Sequence, residues 1–290
     1  MTSEGVFSGE ALGSMGGSVK PPPVIDTSIA HPARMYDYFL GGKDNFPADR
    51  EAAERVIAAG IDTRAFARAN RAFLGRAVSF LAEQGISQFL DIGTGIPAAG
   101  NTHEVAQRTD PAARVVYVDN DPIVLTHARA LMAGHGQGAT TVIQADLRDP
   151  AAILAHPQVQ AAIDFDRPVG LVLVAVLHFV RDDEDPDGAT KLLRDALPAG
   201  SCLVLSHGAD GSTPSAPRNE RAEAITDLYR QRASSALTLR SKDRIAEFFG
   251  DFELVEPGLV SVSHWRPEEE LTDAAVHTTT GFYGGVARKH

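Results

Sequence analysis

The chain has 290 residues, 43% of them hydrophobic and 22% charged, enough apolar material for one large domain or two small ones. Its 27 Lys and Arg against 38 Asp and Glu leave a formal charge of −11, and no Lys/Arg-rich run supplies the counterion release on which nucleic-acid affinity rests. No apolar run is long enough for a membrane span, and a single cysteine, Cys202, excludes an intrachain disulfide framework and a multi-cysteine metal site.

Gly, Ser and Pro dominate residues 1–23, which end in Pro21-Pro22-Pro23. Without an apolar periodicity, or a basic start followed by an apolar core, residues 1–27 read as a disordered tail rather than a secretory signal. Residues 28–85 read as a helical cap. Ser28 is placed to cap a first helix that stops at Gly41-Gly42, and a second runs from near Asp49 to Gly60. After Asp62, the residues Phe66, Ala69, Phe73, Ala77, Phe80 and Leu81 recur at helical steps until Gly85.

From residue 86 the pattern changes to short apolar runs alternating with helical segments. The runs at 88–92, 114–118, 141–145, 171–176 and 202–206 predict strands. Helices are predicted around 98–108, 122–133, 150–155 and 189–196. Such alternation builds an α/β fold with a parallel sheet covered on both faces. A helix at 242–249 and strand-like stretches at 252–262 and 282–288 add an antiparallel pair at one edge. Cys202, among Ser201, Leu203, Val204 and Leu205, reads as a buried inert thiol, and a lone cysteine suits the reducing cytoplasm.

In an open parallel sheet, ligands bind at the carboxyl ends of the strands. The first strand ends in Asp91-Ile92-Gly93-Thr94-Gly95-Ile96-Pro97, where glycines let the backbone pass close to a ligand. Gly93-x-Gly95-x-x-Ala98 also matches a loose dinucleotide fingerprint. However, Pro97 removes an N–H donor and Asp91 adds a carboxylate, which disfavours a diphosphate and suits a cationic amino-acid ligand such as S-adenosylmethionine. Asp119 ends the second strand, placed to accept ribose hydroxyls, while Asp121 caps the following helix. After the third strand, Asp146 is placed to accept from an adenine amino group and Leu147 to cover the ring; a plain surface turn is the competing reading.

The order Asp-x-Gly-x-Gly, acidic second-strand end, Ala145-Asp146-Leu147 resembles the class I S-adenosylmethionine-dependent methyltransferases. Upstream, residues 33–46 (ARMYDYFLGGKDNF) resemble the opening signature of a bacterial methyltransferase family formerly catalogued as a domain of unknown function. Residues 174–180 (VAVLHFV) and Leu205-Ser206-His207 resemble it too. The resemblance implies a Rossmann-like, mostly parallel seven-stranded sheet over residues 86–290 with an antiparallel last strand, and S-adenosylmethionine as cofactor. It places Asp91, Gly93, Thr94, Gly95, Asp119, Asn120, Asp146, Leu147 and Ala175 at the cofactor, and Tyr36 with the Lys43–Asn45 turn, Asn45 included, reads as part of a lid around cofactor or acceptor, a plain helix–helix turn being the competing reading.

His178 and His207 end the fourth and fifth strands. Either imidazole could take a proton from an acceptor or merely orient a loop, and His178 is taken as the catalytic candidate. Nothing supplies metal-ligand spacing. The acidic run at Asp182, Asp183, Glu184, Asp185 and Asp187 reads as a solvated turn. The resulting expectation is a cytoplasmic methyltransferase acting on a small molecule, without nucleic-acid or membrane partners. The competing readings are an NAD(P)-dependent oxidoreductase and a non-catalytic adenosyl-cofactor binder. Against the nicotinamide reading, the interval from Gly93 to Asp119 exceeds the roughly twenty residues a dinucleotide fold requires.

Overall fold

Apolar runs too short for helices become the strands of one sheet. β1 (Gln88–Ile92), β2 (Arg114–Asp119), β3 (Thr140–Gln144), β4 (Gly170–Val174) and β5 (Cys202–Gly208) pair in parallel in the order β3-β2-β1-β4-β5. The computed structural model describes residues 26–60, 62–132, 139–212, 219–268 and 281–290. Residues 1–25 of the tail expected over 1–27 lie outside them.

β6 (Glu253–Leu254) and β7 (Val260–Ser261) are two dipeptide strands, and β8 (Phe282–Arg288) runs antiparallel to β5 along its whole length. Both short strands pair antiparallel with β8, on the edge that β5 leaves free. The single strand expected over 252–262 is therefore broken. Pro257 has no N–H to donate, and Gly258, at φ 83°, turns back to bond the Val255 carbonyl. Eight strands thus share the seven positions of the sheet.

Strand residues alternate between two cores. Leu90, Ile92, Val116, Val118, Leu171 and Leu203 face α6 (Pro150–Ala155), α7 (Pro157–Ala162), α8 (Pro186–Asp195) and α10 (Lys242–Glu247). Phe89, Val115, Tyr117, Val172 and Val204 face α3 (Thr63–Glu83), α4 (Thr102–Thr109) and α5 (Pro122–Met132). α1 (Pro32–Leu40) and α2 (Pro47–Ala58) form a third cluster with α9 (Glu220–Arg232) over the carboxyl end of the sheet. Among the described residues, no helix is long and apolar enough to cross a membrane.

Several helix ends differ from expectation for local reasons. α1 is capped by the His31 ring, which accepts from Ala33 N, while the Ser28 hydroxyl donates to Asp26. α4 starts at Thr102, not near Ala98, because residues 93–101 remain an extended loop held by Arg71. Asp62 caps α3, and Gly41 ends α1 in the left-handed conformation, as the Gly41-Gly42 pair predicts.

Candidate functional site

The carboxyl ends of β1, β2, β4 and β5 open into a cavity of about 1120 Å³, roofed by α1, α2, α3 and α9. Strand order reverses between β1 and β4, and the glycine loop sits at that switch point. Gly93 has φ 77°, and a Cβ there would lie inside the Val176 side chain. Gly95 has φ 65° and its N–H donates to Asp119 Oδ2 at 2.9 Å.

Asp119 Oδ1 accepts from Asp121 N at 2.9 Å, so each carboxylate oxygen keeps a lone pair for a ligand. Asp121 caps α5 by accepting from Ile123 N. Its other oxygen stands 3.1 Å from His31 Nδ1, so the start of α1 lies beside the Asp119 loop. Asp91 accepts from Thr102 Oγ1 at 2.6 Å beneath the glycine loop. Burial raises both carboxyls, Asp91 and Asp119, to about 6.

Asp146 accepts from Asn120 Nδ2 at 3.1 Å and from the Arg148 guanidinium. Burial alone would raise its carboxyl, but these bonds and the Arg148 N–H outweigh it and hold Asp146 below its ordinary range. Leu147 is buried and lines the cavity next to it. Ala175 follows β4 at φ 56°, a strained position for a residue with a Cβ. Its N–H donates to Ser206 O and Oγ. The Ser206 hydroxyl donates to Asn70 Oδ1 at 2.6 Å, Asn70 Nδ2 donates to the Tyr36 hydroxyl, and that hydroxyl donates to Ala67 O. This chain joins α1 and α3 to the carboxyl edge of the sheet at Ala175 and Ser206.

The cavity therefore gathers Tyr36, Asp91, Gly93, Thr94, Gly95, Asp119, Asn120, Asp146, Leu147, Ala175 and His178. Asn45 stands outside its wall. The Asn45 amide donates to Asp37 Oδ2 at 2.7 Å and to Gly42 O, and the side chain is buried within the turn rather than exposed. Asp37 also accepts from Asp44 N, so the Lys43–Asn45 turn is organised around that carboxylate.

The two histidines differ. His207 is sealed between Gly208 O, 2.7 Å from Nδ1, and Arg240 Nη1, 2.9 Å from Nε2, and does not line the cavity. His178 does line it; its Nδ1 accepts from Gly208 N at 3.4 Å, which leaves the ring proton on Nε2. Burial, with Arg240 nearby, pushes this imidazole down to about 3. In this state the ring is neutral, with a hydrogen-bond donor at Nε2.

The acidic run is largely exposed and leads into α8, as expected, but it also carries contacts. Glu184 bonds Arg148 Nε at 3.0 Å, Asp182 bonds Arg240 Nη2 at 2.8 Å, and Asp185 caps α8. Sequence reasoning also missed Arg71 of α3, which lines the cavity and bonds the carbonyls of Ala98 and Ala99. Cys202 is fully buried, and burial pushes its thiol up. Among the described residues no three His, Cys, Asp or Glu side chains gather as metal ligands.

This set suits an adenosyl amino acid better than a dinucleotide. Carboxylates stand at the first and second strand ends, and the glycine loop does not lead straight into a helix N-terminus that could receive a pyrophosphate. The comparisons agree. Residues 18–290 match the family model described as S-adenosyl methyltransferase. A proposed methyltransferase from Thermobifida fusca YX is 44% identical, with a TM-score of 0.82 over 94% of this chain and 99% of that one. A DUF574 family protein from Streptomyces avermitilis MA-4680 is 43% identical, with a TM-score of 0.83 over 91% and 99%. Among functionally curated proteins none matches. The nicotinamide reading is set aside, and the chain belongs to the S-adenosyl methyltransferase family, as an enzyme that uses S-adenosylmethionine.

Proposed function

We propose that the enzyme methylates a small molecule held entirely within the cavity. The observation that carries this reading is the size and continuity of that space. Ligand sites commonly span about 300–1,000 Å³, so about 1120 Å³ is room for a cofactor and a modest second molecule. The same cavity reaches from Asp119 at the sheet edge to Ile225 and Tyr229 on α9.

S-adenosylmethionine, when bound, supplies an activated methyl group on a sulfonium centre. Asp119 and Asn120 would hold its ribose, Asp146 and Leu147 its adenine, and Asp91 with the Gly93–Gly95 loop its amino-acid end. Ala175 would bound the cofactor from β4. Tyr36 buttresses that wall through Asn70 and Ser206, and Asn45 acts on it only by shaping the turn after α1. His178 would orient the acceptor through Nε2–H. Positioning supplies most of the rate in such a displacement, so water exclusion and alignment by the cavity walls are the protein's main contribution.

The test is incubation with S-adenosylmethionine and separate fractions of a bacterial extract: small molecules, RNA and protein. Release of S-adenosylhomocysteine is expected with the small-molecule fraction alone. Methylation confined to RNA or protein would overturn the reading.

Cofactor affinity should depend on pH. Burial holds the Asp91 and Asp119 carboxyls at about 6 against an ordinary value of 3.8, so between these limits the folded chain binds more protons than the unfolded one. Ligand-free stability therefore falls as pH rises through that window. The ammonium of the amino-acid end and the ribose hydroxyls both favour ionised carboxylates, so affinity should rise as pH passes through about 6 and level off above it. Calorimetric titration with S-adenosylhomocysteine below and above that value checks this; a flat profile would remove both carboxylates from the binding site.

A further inference from the structure

Five rings follow one another along the cavity wall. Phe66 of α3 lies 6.4 Å from Phe282 of β8, and Phe282 lies 5.8 Å from His178. His178 packs edge-on against Phe179 at 4.4 Å, and Phe179 lies 5.9 Å from Tyr229 of α9. All five line the cavity, although they come from four separate stretches of sequence. His178 and Phe179 lie three and four residues beyond Ala175, so the middle of this belt adjoins the cofactor edge.

Tyr229 adds a second, independent observation. It is 7% exposed, and its hydroxyl has no hydrogen-bond partner among the described residues. The orphaned polar atoms sealed in the core do not include this oxygen, which belongs to the cavity wall. A tyrosine hydroxyl so deeply placed ordinarily finds a partner. With none among the described residues, the cavity is where a partner can reach it.

We propose that the methyl acceptor is a flat, uncharged aromatic molecule packed against this belt, with the Tyr229 hydroxyl bonded to one of its polar substituents. The proposal rests on the small-molecule reading above and names the substrate class for that site. Flat rings gain from offset and edge-to-face contact with a wall built of edges and faces. None of the five rings of the belt belongs to an acidic or basic chain other than His178, and the charged residues of the cavity wall, among them Asp210, Arg221, Lys242 and Asp243, are not members of it, so a charge pressed against the belt would meet no carboxylate or ammonium within it. In the transfer, a lone pair on an acceptor oxygen or nitrogen forms the bond to the methyl carbon. The carbon–sulfur bond breaks with its electrons kept by sulfur, and the acceptor proton leaves to water.

The test titrates the full chain, saturated with S-adenosylhomocysteine, with three probes: naphthol, its fully saturated counterpart decalol, and choline. Naphthol should bind, decalol about fivefold more weakly, and choline not at all. Tyr229→Phe should weaken naphthol about fivefold, and leave both the unfolding midpoint and the S-adenosylhomocysteine affinity unchanged, since the hydroxyl bonds none of the described residues. Phe179→Leu should weaken naphthol by a comparable factor. The proposal is overturned by naphthol failing to bind, by decalol or choline binding as well as naphthol, or by Tyr229→Phe leaving naphthol unaffected. Failure of the small-molecule reading shows elsewhere, as methylation of RNA or protein in the extract fractions.

Discussion

Gly93→Ala should abolish detectable cofactor binding and lower the stability of the fold by about 2–5 kcal/mol. The range combines about 1–2 kcal/mol for a Cβ in left-handed backbone with about 1–3 kcal/mol for overpacking. The packing part is specific to this glycine, because the added methyl would overlap Val176. Gly95 supplies the control. It is also left-handed, at φ 65°, but an added Cβ meets nothing within 4 Å. Gly95→Ala should therefore show only the conformational part. Urea unfolding of both variants, with titration by S-adenosylhomocysteine, separates the two contributions. Equal destabilisation would mean that Val176 moves aside, and Gly93→Ala combined with Val176→Ala should recover much of the packing loss.

Arg240→Met should cost about 2–4 kcal/mol by orphaning buried acceptors. The Arg240 side chain is almost wholly buried and donates to the carbonyls of Leu177 and Val180 and to His207 Nε2. Its ion pair with Asp182 contributes little of this, because that carboxylate is 70% exposed. Asp182→Asn should accordingly be nearly neutral in stability. The Leu177 and Val180 carbonyls bracket His178 and Phe179, so the same substitution should loosen the cavity wall and weaken ligand binding. Unfolding curves for the two variants decide the matter; an equal loss in both would shift the role of Arg240 from its carbonyl bonds to its charge.

The inner strands were legible because strands covered on both faces are continuously apolar, and Gln88–Ile92 appears in the fold with its expected limits. The carboxyl-end rule then placed Asp91, Asp119, Asp146 and His178 on one edge without any knowledge of contacts. Two elements escaped for opposite reasons. The run at 252–262 is apolar enough for a strand, but pairing fails at Pro257 and Gly258. α9 is mostly polar, and only Ala222, Ile225 and Tyr229 are buried, at steps of three and four. That narrow stripe, after the Asn219 cap, was a usable signal. The ring belt, Arg71 and the Arg240 hub had none, because partners far apart in sequence leave no local pattern. Asn45 shows the converse: its polar turn was visible, but its burial against Asp37 was not.

The broken strand also determines what the molecule offers its neighbours. A long unpaired strand at the rim of a sheet is a template on which another chain can align, and such templates seed aggregation. On this rim the outermost backbone consists of two dipeptides separated by a proline and a glycine turn. Among the described residues, a second chain aligning there would find only two residues at a time to pair with before the register failed. The interruption between β6 and β7 thus protects β8, whose inner edge is already committed to β5, and keeps the wall that carries Phe282 from being drawn into association with other copies.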